Sequence, residues 1–184
     1  MPYSDVLFDD ISSKFIQNIQ IVECLDIGSG AGKYGKVVRQ FHPNARIVGI
    51  EIEPDYISKF DLNSIYDYMR CIAAEKIIEE DIDKQYDLVI IGDCIEHMRK
   101  SVGIDLLNFL VYRSKYILVL YPEKYLQGSW EGYRSEAHIS FWKENDFSGM
   151  DFISLHREYM VAVFINGYLL DLKRESGVKQ VLDL

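Results

Sequence analysis

Two short acid–histidine segments carry the side chains best suited to moving a proton: Asp93-Cys-Ile-Glu96-His97 and Glu136-Ala-His138. If a helical turn begins after Asp93, positions i, i+3 and i+4 fall on one face, so Asp93, Glu96 and His97 converge. His138 lies beyond a long loop that returns to the same edge of the molecule. It can join the group, and a neutral imidazole near pH 7 can take a hydroxyl proton. His138, His97 and Glu96 are therefore the candidate catalytic residues. The plain alternatives stay open: Glu96 and His97 cap a helix or shape a pocket, and His138 is a core side chain.

A second constellation could hold a nucleotide-like ligand. The run Leu25-Asp26-Ile-Gly28-Ser29-Gly30-Ala-Gly32 follows an apolar stretch and precedes a helical pattern. A strand, a glycine turn and a helix start bring backbone N–H groups toward a ligand, and Asp26 adds a negative charge beside them. Glu51 ends the next apolar run, where a carboxylate can accept both hydroxyls of a ribose. A P-loop is excluded, because three residues separate Gly28 from Gly32 and Tyr34 follows Lys33. Gly30-Ala-Gly32-Lys-Tyr-Gly35 does match the GxGxxG of dinucleotide folds, with Glu51 about twenty residues on. The strand, however, ends at Ile27, so the turn starts at Gly28 rather than Gly30.

The positioning elements follow from hydrophobic periodicity. Helical spacing covers residues 5–19, with Ser4 as a candidate cap. Strands are expected at 21–27, 46–50, 66–72, 86–91, 116–121, 152–156 and 160–165. Helices are expected at 32–41, from Pro54 to about 62, at 75–80, 103–113 and 139–147. Alternating strands and helices imply parallel strands covered on both faces. The closely spaced final pair must be antiparallel. The expected fold is α/β and doubly wound: a mostly parallel seven-stranded sheet with an antiparallel last strand. Residues 122–137 form a long glycine- and aromatic-rich loop, a length usually tied to function. Tyr121, Tyr125, Trp130 and Tyr133 read as a lid.

Composition narrows the classes. A chain of 184 residues suits one domain, taken as 1–184. Its formal net charge of −9 disfavours nucleic acid, whose affinity comes from Lys and Arg on phosphates. No apolar run is long enough to span a bilayer, and MPYSDVLFDD lacks the basic start and apolar centre of a signal peptide. Cys24, Cys71 and Cys94 lie in or beside apolar runs and read as reduced core thiols of a cytoplasmic protein. Residues 167–184 can pack on their own domain or on a second copy in a homodimer.

With these motifs in order, the sequence resembles the class I S-adenosylmethionine (SAM)-dependent methyltransferases over roughly residues 20–166. Asp26 to Gly32 matches their acidic glycine-rich motif, Glu51 their ribose-binding acid, and Tyr86-Asp-Leu-Val-Ile-Ile-Gly-Asp93 their fourth-strand motif. The resemblance implies a Rossmann-like fold with SAM held by Asp26, Gly28, Ser29, Gly30, Gly32, Glu51, Ile52, Ala73 and Asp93. The family's usual acid after the third strand is missing. Cys71-Ile-Ala-Ala74 stands there, so backbone groups near Ile72 and Ala73 are expected to read adenine.

The implied reaction is O-methylation of a small metabolite or sugar-like acceptor. Asp93, Glu96, His97, His138 and Trp142 are also similar to the small-RNA 3′-terminal 2′-O-methyltransferases, where two acids and two histidines hold a divalent ion. A metal-dependent RNA ribose methyltransferase is thus one alternative, and a non-catalytic SAM-binding protein another. The primary expectation is SAM alone, with no metal ligands assigned.

Overall fold

The computed structural model describes residues 2–184. Four apolar runs make the centre of the sheet: β1 (Glu23–Ile27), β2 (Arg46–Ile50), β4 (Tyr86–Gly92) and β5 (Ser114–Pro122), with the short β3 (Tyr68–Arg70) beyond β2. All five run parallel. β6 (Asp151–Arg157) and β7 (Met160–Asn166) form a hairpin, and β7 inserts antiparallel between β5 and β6. The order is β3-β2-β1-β4-β5-β7-β6. The expected seven strands, mostly parallel with an antiparallel last one, are all present.

Side chains alternate between two cores, as the period of a strand requires. Leu88, Ile90, Leu118 and Leu120 face one layer. It holds α1 (Asp9–Asn18), α2 (Lys33–Phe41) and α6 (Val178–Leu182), through Phe15, Ile16, Val38 and Val181. Val89, Ile91, Ile117 and Val119 face the other layer, with Leu106 and Leu110 of α5 (Lys100–Val111) and Ile77 of α4 (Lys76–Glu80). α3 (Pro54–Lys59) follows β2, with proline in its first turn. Strand order reverses between β1 and β4. In such sheets a crevice opens outside the carboxyl ends of the strands at that point.

Several local expectations are corrected. The first helix begins at Asp9, after Phe8, with no side-chain cap. Residues 2–8 instead cross the glycine loop: the Pro2 carbonyl accepts the Ala31 N–H at 2.7 Å, and Asp5 donates its N–H to Asp93 Oδ2 at 3.1 Å. Residues 139–147 do not form a helix beyond one 3-10 turn at Glu144–Phe147. Long-range bonds hold the segment extended. The Glu96 carbonyl accepts the N–H groups of Ile139 and Ser140, at 2.9 and 3.1 Å. Tyr121 is a buried strand residue against Phe147 and not part of a lid. Cys71 is exposed, whereas Cys24 is buried and Cys94 half-buried.

Trp142 anchors the loop after β5. Its indole Nε1 donates to the Ile95 carbonyl at 3.1 Å and to Ser140 Oγ at 2.9 Å. The buried ring packs where a side chain on Gly103 would stand, and Lys100 Nζ lies 4.5 Å from its centroid. Trp142→Ala is expected to cost about 3–5 kcal/mol of stability in urea unfolding, and Trp142→Phe clearly less.

Candidate functional site

The site grows from the end of β1. Gly28 and Gly30 have φ of 74° and 49°, in the left-handed region where L side chains are strained. A Cβ on Gly28 would also meet Cys94 Sγ at 2.5 Å, and one on Gly30 the Pro2 carbonyl oxygen at 2.5 Å. The loop's amides are engaged within the protein, contrary to the expectation that they face a ligand. Gly28 and Ser29 donate to the Ile50 carbonyl at 2.9 and 3.0 Å, Gly30 to Glu51 Oε2 at 2.8 Å, and Gly32 to the Ser29 carbonyl at 2.7 Å. Ser29 Oγ lies 3.2 Å from the Asp26 carbonyl and 3.3 Å from that of Ile50.

Glu51 is thereby fixed at both oxygens, since Oε1 accepts the Glu53 N–H at 2.9 Å. Burial raises its pKa, against the lowering by those backbone bonds. The loop after β5 closes over this corner: Ser135 Oγ bonds to Glu53, and Tyr133 donates to Asp55 Oδ2 at 3.1 Å. Behind the 71–75 loop, Asp81 anchors β3. Both its oxygens lie 2.9 Å from Arg70 Nη1, and Tyr86 donates to Oδ2 at 2.6 Å.

These elements enclose a cavity of about 540 Å³, within the size range of small-molecule and cofactor sites. Of the predicted cofactor residues, Gly28, Gly30, Glu51, Ile52, Ala73 and Asp93 line it. Asp26, Ser29 and Gly32 are not on its wall and support the loop. Asp26 is 1% exposed and accepts the Tyr66 hydroxyl at 2.5 Å. Burial pushes its pKa up to about 7, and that of Asp93 likewise to about 7. Pro2, Ser4, Met98, Arg99, Ser135 and Glu136 also line the cavity. None of these is expected at the cofactor site from the sequence, where Ser4 reads only as a helix cap and Glu136 only as a neighbour of His138. The length of the 122–137 loop was a signal for Ser135 and Glu136, while nothing in the sequence marks Pro2 or Ser4 as cavity residues.

The acid–histidine cluster adjoins the cavity through His97. A 3-10 turn at Ile95–His97, rather than an α-helical one, sets its geometry. His97 Nδ1 lies 3.2 Å from the Ala137 carbonyl and His138 Nδ1 3.0 Å from that of Tyr125. A carbonyl only accepts, so each Nδ1 carries the proton and each Nε2 keeps its lone pair. The rings meet edge to face at 4.8 Å, and His138 Nε2 stands 3.9 Å from Glu96 Oε1. Glu96 is 2% exposed, and its Oε2 has no hydrogen-bond partner. Burial raises the Glu96 carboxyl well above its usual range, drops His97 to about 4 and lowers His138. Both imidazoles are therefore neutral near pH 7. One ligand atom from each of Glu96, His97 and His138 lies within 4.8 Å of the others, so these three side chains fit a divalent ion. Asp93, expected beside them, is outside that group, its Oδ2 being held by the Asp5 N–H.

A sheet of this order, with its crevice at the β1–β4 reversal and an acid ending β2, defines the Rossmann-like methyltransferase architecture. Residues 25–109 match the family model described as a methyltransferase domain. The match spans 85 of the 184 residues, from β1 into α5, and includes Gly28, Glu51, Asp93, Glu96 and His97.

No curated protein matches the chain. Solved structures are similar at the level of the fold. An O-methyltransferase family protein from Burkholderia thailandensis aligns with a TM-score of 0.61 at 10% identity, covering 87% of this chain and 56% of that one. The N-terminal domain of EvdMO1, with S-adenosylhomocysteine (SAH) bound, aligns at 0.63 and 11% identity, covering 89% and 82%. The N-methyltransferase NodS from Bradyrhizobium japonicum aligns at 0.60 and 9% identity, covering 89% and 98%. Among the described residues, no helix is long and apolar enough to cross a membrane.

If the doubly held Glu51 carboxylate receives the ribose hydroxyls, Glu51→Ala weakens SAH binding by roughly 10–100-fold in calorimetry, without loss of fold. An affinity within twofold of wild type would remove Glu51 from the cofactor site.

Proposed function

We propose that this enzyme transfers the methyl group of SAM to a hydroxyl oxygen of a small, sugar-like acceptor. The observation that carries the reading is the neutral imidazole of His97 on the cavity wall. Its Nδ1 proton is fixed by the Ala137 carbonyl, and its Nε2 is left as the basic atom. The acceptor oxygen attacks the methyl carbon in line, the C–S bond breaks, and SAH leaves. The hydroxyl proton passes to His97 Nε2. The neighbouring His138 and the Glu96 carboxyl orient and polarise the pair. The sulfonium already supplies a good leaving group, so alignment and proton removal are the protein's main tasks. The EvdMO1 domain, crystallised in the presence of SAH and D-fucose, lends support to an acceptor of this class, as do the O-methyltransferases among the similar structures.

The test is transfer of labelled methyl from SAM to a panel of sugars, phenols and amines. Hydroxylated acceptors are expected to react. His97→Ala and His138→Ala are expected to lower kcat about 100-fold or more while SAM affinity stays within twofold. Methylation of amines alone, untouched by these variants, overturns the reading.

A second reading keeps the acceptor oxygen but adds a metal. Its support is the convergence of Glu96, His97 and His138, with both Nδ1 atoms tied to carbonyls and one buried carboxylate oxygen unpartnered. Backbone partners of this kind orient metal-bound histidines. A divalent ion held there would polarise the acceptor hydroxyl, and a ribose 2′-hydroxyl would then be a candidate acceptor. Under this reading, Mn²⁺ binds to the metal-free protein with a measurable heat, and Glu96→Gln abolishes that heat. EDTA-treated protein that transfers methyl groups at the full rate excludes it.

A further inference from the structure

Tyr66 belongs to no strand or helix, yet three glycines are arranged around it. A Cβ on Gly35 would lie 2.4 Å from its ring, one on Gly49 2.9 Å and one on Gly32 3.7 Å. Gly35, which completes the GxGxxG pattern, therefore makes room for a tyrosine rather than for a pyrophosphate. The ring is 4% exposed, and its hydroxyl ends on the carboxylate of Asp26, forty residues earlier in the chain.

Asp26 does not reach the cavity wall, but it lies under the loop that forms one side of it. Its carbonyl is 3.2 Å from Ser29 Oγ. The titratable groups that face Asp26 are Tyr66, Tyr34 of α2, Cys24 of β1, Glu51 at the end of β2 and Cys94 after β4. None of these is a cation. An ionised Asp26 would thus project an uncompensated negative charge through low-dielectric protein toward whatever occupies the cavity.

We propose that Tyr66 is a positioning residue for the cofactor: its hydroxyl holds Asp26 as an anion beneath the glycine loop, and that buried charge favours the cationic sulfonium of SAM over the neutral thioether of SAH. The protein would thereby discriminate substrate from product without touching the sulfur. The inference rests on SAM as cosubstrate and adds a residue outside every motif read from the sequence.

The sign follows from the geometry. Burial opposes the Asp26 anion and holds its pKa at about 7, while the Tyr66 hydrogen bond works the other way. SAM preference is therefore gained as pH rises through that region. Removing the hydroxyl moves the midpoint up by about one pH unit.

The experiment is calorimetric titration of wild type and Tyr66→Phe with SAM and with SAH between pH 6 and 9. The phenylalanine ring still fills the glycine cradle. The variant is expected to bind SAM about fivefold more weakly at pH 7 and to recover wild-type affinity near pH 9, with SAH changed less than twofold. Equal weakening of both ligands at every pH would show a purely structural role and overturn the proposal, as would unchanged SAM binding at pH 7. Asp26→Asn gives an independent check, because in that background Tyr66→Phe should no longer change the SAM-to-SAH affinity ratio at any pH. An effect of Tyr66→Phe that persists there also overturns the proposal. Failure of wild type to bind either ligand would instead count against the cofactor assignment.

Discussion

The carboxylate of Glu51 ties together the parts of the site that come from different strands. One oxygen takes the amide of Gly30 and the other that of Glu53. The same carboxylate thus fixes the loop after β1 to the end of β2, and through Glu53 it meets the Ser135 hydroxyl of the loop after β5. A buried carboxylate is costly unless charge-assisted bonds satisfy it. Here those bonds are also what gives the cavity its shape. The reversal of strand order between β1 and β4 opens the crevice, and Glu51 determines how the surrounding chain closes on it.

From this corner the rest can be followed outward. The Ile50 carbonyl accepts the Gly28 and Ser29 amides, so the glycine loop is built to pack against β2 rather than to lie open. Residues 2–8 cross that loop from outside, through the Ala31 amide and the Asp93 carboxylate. On the other side, the Glu96 carbonyl and Trp142 draw the 138–142 segment against the turn after β4, which brings His138 beside His97. The cavity and the histidine pair therefore adjoin through His97, the arrangement on which the proposed methyl transfer to a hydroxyl rests.

Much of this was legible in the chain because its signals are local. The apolar runs of β1, β2, β4 and β5 mark strands wherever they occur, and the brevity of the link between β6 and β7 forces them antiparallel. Gly28, Gly30 and Glu51 could be read because each stands at the end of such a run. What escaped reading depends on contacts between distant residues. The helical pattern of 139–147 is overridden by the Glu96 carbonyl, to which Ile139 and Ser140 donate. Asp93 shares a sequence motif with Glu96 and His97, but the N-terminal segment claims its carboxylate. Asp26 looks like a ligand-facing acid until Tyr66, forty residues on, is seen to hold it. Ser4 looks like a helix cap, yet the helix starts only at Asp9, because Pro2 and Asp5 have partners on the glycine loop and on Asp93.

The central claim is that one cavity aligns the methyl donor with a neutral histidine base. A crystal structure with SAH bound tests it most directly. The account predicts both ribose hydroxyls on the Glu51 carboxylate and the SAH sulfur directed toward the His97 side of the cavity. A ribose held elsewhere, or a sulfur turned away from His97 with no room for an acceptor between them, would contradict it.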